Sequence, residues 1–172
     1  PFILIDVFKS LYNYIDMVTV VEGLVNYANF SVVDAEVIMS MLSTWGAKFN
    51  MILLALSTGI VVSLIPNLTQ SVVKKDQADV YHKINQSFSV LLFFTLPMAL
   101  GISFLSEYIW NVFYGSSMYG PSVLAYYIFV GLIVGLFTAA ISIVQVLKDY
   151  KTVFISLLVG VILKILLNNN LI

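Results

Sequence analysis

Apolar residues run along this chain in long blocks, and four short polar connectors separate them. A bilayer core of about 30 Å takes roughly 20 helical residues. Five blocks reach that length: 2–28, 37–66, 84–114, 121–147 and 152–170. The connectors are "NYANFSVVDAE", the run from "SLIPNLTQ" to "YHKINQ", "YGSSMYGP" and "LKDYK". Backbone amides in lipid must bond within their own segment or in a closed barrel. The unbroken hydrophobicity of the blocks excludes the ten-residue alternation of barrel strands. The pattern therefore predicts an all-α, polytopic membrane helix bundle of about five transmembrane helices.

Finer structure follows from punctuation within the blocks. Pro66 is placed to end the second span, with Asn67 or Thr69 capping what comes next. In the second connector Val73, Val80, Ile84 and Phe88 fall at i, i+7, i+11 and i+15, one stripe of a helix lying along the membrane surface before the third span. Pro97 removes a backbone bond to Phe93 and predicts a kink, and Gly101, one turn on, predicts close packing. Pro97 and Gly101 together form a candidate hinge.

Composition supports the membrane assignment. Of 172 residues 60% are hydrophobic and 10% charged, with a mean hydropathy of +1.00, whereas soluble domains carry about 25% charged residues. The net charge of −1 comes with eight lysines and no arginine, so no basic face invites nucleic acid. Cysteine is absent and His82 is the single histidine, so neither a disulfide framework nor a Cys- or His-based metal site is expected. No signal peptide is recognisable, and Pro1 at one end and apolar Leu171-Ile172 at the other predict a fragment of a longer chain.

Charge on the connectors sets orientation. Lys74, Lys75, Lys83, Lys148 and Lys151 lie on the second and fourth, whereas Glu22, Asp34, Glu36 and Glu107 mark the first and third. The positive-inside rule then places residues 67–86 and 148–151 in the cytoplasm of a multi-pass cell-membrane protein. Trp110, Tyr108, Tyr114 and Tyr119 are expected in an interfacial belt at the outer boundary.

Several ionisable groups fall where lipid should be. Asp6, Lys9, Asn13 and Asp16 lie within about 80° of one another on the first span. The second span carries Lys48 and Asn50, the fourth ends at Gln145, and the fifth holds Lys164 before Asn168, Asn169 and Asn170. Four such charges facing lipid would cost on the order of 10 kcal/mol. They must meet each other, snorkel, or face water. Two arrangements satisfy this: interhelical pairing, for example Asp16 with Lys48, or a hydrated cavity of cationic and amide groups suited to a pyrophosphate. Asp76 and Asp79 form a D-x-x-D that prenyltransferases elaborate to hold Mg²⁺, yet two lysines precede it and no second acidic cluster follows, so a solvated loop fits better. His82 is likewise expected to be solvated, and no nucleophile signature surrounds the serines.

The runs "LALSTGIVVSLIPNLTQS" and "INQSFSVLLFFTLPMALGISFLSEYIWNVFYG" resemble the polysaccharide-biosynthesis and lipid II flippase family, which includes stage V sporulation protein B. Pro66, Pro97, Gly101 and Gly115 stand at the matching places, and "LYNYIDMVTV", "ISIVQVLKDYK" and "VGVILKILLNNNLI" fit in order and spacing over nearly the whole chain. The resemblance implies the multidrug and oligosaccharidyl-lipid exporter superfamily, with residues 1–172 as most of a C-terminal six-helix lobe. It implies alternating-access transport of a lipid-linked saccharide without bond chemistry and without a cofactor. Its partners would be that substrate, membrane lipids, the N-terminal lobe of the same chain and a coupling ion. The implied cavity residues are Lys9, Asn13, Asp16, Lys48, Asn50, Gln145 and Lys164. Lys48 stands nearest to a cavity arginine of the family, and lysine binds phosphate as a point charge without the guanidinium fork. A multidrug exporter, a prenyltransferase and a scaffolding membrane protein are the rival readings.

Overall fold

Helix is the structure that a nearly continuous apolar chain adopts when lipid offers its backbone no hydrogen bonds, and helix is what the described residues form. The computed structural model describes the backbone of residues 2–171, and within the first and last helices many side chains lie outside the described residues. The helices are α1 (Phe2–Asn26), α2 (Val32–Ser40), a π-helical stretch Met41–Gly46, α3 (Ala47–Val73), α4 (Gln77–Phe104), α5 (Ser106–Tyr114), α6 (Gly120–Val146) and α7 (Tyr150–Leu171). The chain divides into two units, residues 1–40 with 149–172, and residues 41–148.

In the first unit α1 packs against α2 and α7. Asn29 adopts a left-handed φ of 56° to turn the chain, and Ser31 caps α2 by accepting from the Asp34 amide at 3.1 Å. Ala35 and Ile38 of α2 and Val153 and Leu157 of α7 are buried. Asp149 caps α7, accepting from the Thr152 amide at 3.2 Å and the Thr152 hydroxyl at 2.6 Å. The hydroxyl bond, then the amide bond, holds the Asp149 carboxyl below the usual carboxylate range.

The second unit is a bundle of α3, α4 and α6 with α5 across one end. Its core lies in three layers. Phe49, Leu53, Ala99, Trp110, Leu124 and Ile128 form one with Met41; Val61, Leu91 and Ala139 form the next; Leu68, Val80 and Ile143 form the last. Numbers rise together in α3 and α6 and fall in α4, so α3 and α6 run parallel with α4 antiparallel between them in sequence. The outward faces remain apolar, with Met51, Val62, Phe93 and Ile133 each more than half exposed. A helix apolar all round suits lipid. Among the described residues, three helical runs are long and apolar enough to cross a membrane: Val32–Val73, Gln77–Phe104 and Gly120–Val146.

Five sequence expectations are corrected here. Pro66 does not end the second span: it lies inside α3 with its side chain exposed, and α3 continues to Val73. One missing amide does not stop a helix whose neighbours still bond. Neither Asn67 nor Thr69 caps α4; the Thr69 hydroxyl donates to Ile65 O at 2.8 Å within α3. The cap is Asp76, which accepts from the Asp79 amide at 3.0 Å.

The connector forms no surface helix of its own. Lys75, at φ 56°, turns the chain within three residues, and α4 is continuous from Gln77. Val80, Ile84 and Phe88 are indeed one stripe, but it faces Leu68 and Ile143 in the core, while Val73 sits on α3 and is 75% exposed. The predicted third span breaks at Leu105 into α4 and α5, with the Leu105 amide still bonded to Gly101 O at 3.0 Å. Trp110 does not face outward as a belt residue would: it is fully buried, stacked on Trp45 at 5.9 Å and tilted against Tyr114 at 5.0 Å. Room for the indole comes from Gly120, where a Cβ would lie 2.0 Å from the ring. Gly115, at φ 78° and ψ −174°, makes the turn between α5 and α6 in a region that glycine alone enters readily.

Candidate functional site

The polar groups of the second unit lie at two levels. At the level of the first core layer, α3 presents Lys48 and Asn50, two residues and hence about 200° apart. Lys48 is exposed; Asn50 is 6% exposed and faces α6. Among the described residues no carboxylate pairs with Lys48. The Asn50 Nδ2 donates to the main-chain oxygen of Tyr127 at 3.2 Å, and its Oδ1 is buried without a hydrogen-bond donor among the described residues.

The α3–α6 contact below Asn50 is close because α6 carries small residues there. A Cβ on Gly131 would lie 2.4 Å from Asn50 Oδ1, and one on Gly135 would lie 2.5 Å from Ser57 Oγ. The buried Ser57 hydroxyl donates to Leu53 O at 2.8 Å, so its polarity is satisfied within α3. Gly131, Gly135 and Ala139 follow one another at four-residue spacing, the small-residue pattern by which membrane helices approach. Sequence reasoning passed over this pattern, although the spacing alone could have revealed it.

At the opposite end, the α3–α4 hairpin is held by charge. Lys83 pairs with Asp79 at 2.8 Å, and also donates to Ser71 Oγ at 2.6 Å and to Asn67 O at 3.0 Å. The Ser71 hydroxyl lies 2.5 Å from Asp79 Oδ2. The D-x-x-D of Asp76 and Asp79 is thus neither a freely solvated loop nor an open Mg²⁺ site: one carboxylate caps α4 and the other closes this clasp. His82 is exposed, as expected.

The remaining sequence candidates divide as follows. Gln145 is half-buried near the end of α6, in the same unit as Lys48 and Asn50, and Lys164 is half-buried on α7 in the other. The side chains of Lys9, Asn13 and Asp16 lie outside the described residues. Pro97 is exposed inside an unbroken α4. Gly101 is not a close-packing glycine, since a Cβ there would meet nothing within 4 Å.

The described residues hold no group of three or more metal-ligating side chains. At the level of the first core layer α3 thus offers one exposed cation, Lys48, and one buried amide, Asn50, on an apolar helix.

A family model described as Lipid II flippase MurJ matches residues 47–172, from the start of α3 through α7. The Lipid II flippase MurJ of Bacillus subtilis (strain 168) is 30% identical over 172 residues, which cover 98% of this chain and 31% of that protein. The chain thus spans about a third of the length of the relative it matches. No solved structure matches it. Helices of membrane-crossing length and a family match that takes in every helix from α3 onward agree, and the chain belongs to the lipid II flippase MurJ family.

Proposed function

We propose that this chain is part of a flippase that moves a lipid-linked saccharide, lipid II or a polysaccharide repeat unit, across the cell membrane by alternating access, without making or breaking a bond. The observation that carries this reading is Lys48, an exposed cation on an apolar helical run of 42 residues in a chain of this family. Lipid will not hold that charge cheaply; a diphosphate headgroup will. Lys9, Asn13, Asp16, Gln145 and Lys164 are the further polar residues of the chain proposed to serve the substrate or a coupling ion. A preceding lobe of the protein supplies the facing wall, and Pro97 gives α4 a point at which to bend. The clasped hairpin, with Lys74 and Lys75 beside it, and Lys148 at the end of α6 lie on the cytoplasmic side.

A multidrug exporter for cations would place carboxylates where this chain has Lys48. A prenyltransferase would need Asp76 and Asp79 free for Mg²⁺, and both are engaged in the hairpin.

The test is translocation of a lipid-linked precursor by the complete protein in vesicles. Lys48→Ala is expected to lower the rate about tenfold, the worth of one charge-assisted contact, and Lys48→Arg to retain most of it. Full transport by Lys48→Ala would remove Lys48 from the site, and failure of the unaltered protein to move any lipid-linked saccharide would end the reading.

A further inference from the structure

Asn50 sits two residues from Lys48 on α3 but points the other way, into the α3–α6 contact, where it is 6% exposed. A polar amide buried this deeply is costly unless its geometry does something for the fold. Its Nδ2 reaches the Tyr127 oxygen on α6, a carbonyl of the helix backbone, and its Oδ1 rests where only a glycine leaves room, over Gly131. One turn in either direction along α6 would set the amide against the side chain of Ile128 or over Gly135, where Ser57 already fills the gap left by the missing Cβ. Asn50 over Gly131 and Ser57 over Gly135 are thus two teeth of one register, seven residues apart on α3 and four apart on α6. In lipid, where apolar attraction between helices is weak, such close contacts decide which helices stay together.

We propose that Asn50 is a positioning residue that locks α3 to α6 in a single register, so that the two helices move as one rigid block and carry Lys48 with them during transport. This rests on the flippase reading for the role of Lys48, but not for the lock itself. Asn50 acts through α3; it does not touch the substrate.

Spin labels at the exposed positions Met51 on α3 and Ile133 on α6 of the complete protein in nanodiscs report the distance between the helices. The expected distance is single and unchanged when a lipid-linked precursor is added. Asn50→Ala, which empties the space over Gly131, and Gly131→Ala, which collides with the amide, are each expected to broaden the distance distribution and to lower translocation about tenfold. In the double variant the new methyl occupies the space the amide left, and both readouts are expected to recover toward the unaltered protein. Should Gly131→Ala not accumulate, Asn50→Ala and the double variant make the same comparison.

A distance that shifts with substrate in the unaltered protein would overturn the rigid block. A distribution unaffected by Asn50→Ala would overturn the lock. Recovery of the distance without recovery of transport would place Asn50 at the substrate instead. Because the distance is read separately from transport, a failure of the Lys48 assignment leaves the lock tested on its own.

Discussion

The two polar places in the second unit are built on opposite terms. Between α3 and α6 the contact is dry and close: two glycines accept an amide and a hydroxyl, and each group has at most one partner outside its own residue. At the α3–α4 hairpin the contact is ionic and redundant: Lys83 has three acceptors, and Asp79 keeps both Lys83 and Ser71. Within a membrane the energy of association comes from shape, because lipid is as apolar as the side chains. At its edge water competes for every charge, so a network survives the loss of one member. Substitution should therefore be severe at the seam and mild at the clasp.

The seam is where the largest effect is expected. Gly135→Ala brings a methyl to 2.5 Å from Ser57 Oγ and 3.2 Å from its Cβ, and overpacking of this kind costs about 1–3 kcal/mol. Thermal unfolding of the complete protein in detergent should show that loss, and adding Ser57→Ala should recover most of it, because the hydroxyl is the colliding atom. Without recovery, the strain would have to reside in the backbones and the seam would not be a side-chain fit.

The clasp should yield less. Ser71→Ala removes a buried hydroxyl that links Lys83 to Asp79, yet the direct ion pair at 2.8 Å remains. About 1 kcal/mol is expected, the net worth of one hydrogen bond. Asp79→Asn should destabilise less at high salt than at low salt, since this pair is partly exposed and screened. Equal losses at both salt concentrations would mean that the clasp is as dry as the seam, and the contrast between the two places would fail.

How much of this could be read in the sequence depends on which physics governs each feature. The helices were legible because hydropathy marks them, and α1, α6 and α7 begin and end within two residues of the apolar blocks 2–28, 121–147 and 152–170. Boundaries governed by local hydrogen bonding were not. Pro66 looked like a stop but is carried through α3, while the break at Leu105 has neither proline nor glycine to announce it. Trp110 illustrates the same limit. Its type suggested an interface, but its surroundings, Gly120 and the ring of Trp45, arrive from elsewhere in the chain and bury it. Lys48 and Asn50 both stood out by their polarity in an apolar block, but that they face opposite ways is a matter of helical phase against a partner, which one helix cannot declare.

Glycine makes the sharpest small test of this phase argument. Gly101 and Gly135 both interrupt apolar membrane-length helices, and from the sequence either could be a packing glycine. In the fold, Gly135 is buried against Ser57, whereas a Cβ at Gly101 meets nothing within 4 Å and its φ is not in the left-handed region. Alanine at Gly101 therefore adds no collision, and it removes the backbone freedom that makes glycine about 0.5–1 kcal/mol worse than alanine inside a helix. Gly101→Ala should leave the complete protein as stable as before or slightly more so, opposite in sign to Gly135→Ala. Transport gives the second reading. If Gly101 flexes with Pro97 to open α4, the stiffer variant will unfold no earlier yet move substrate more slowly; if α4 is rigid there, both stability and rate will hold, and the bend must be sought at Leu105, where the helix already breaks.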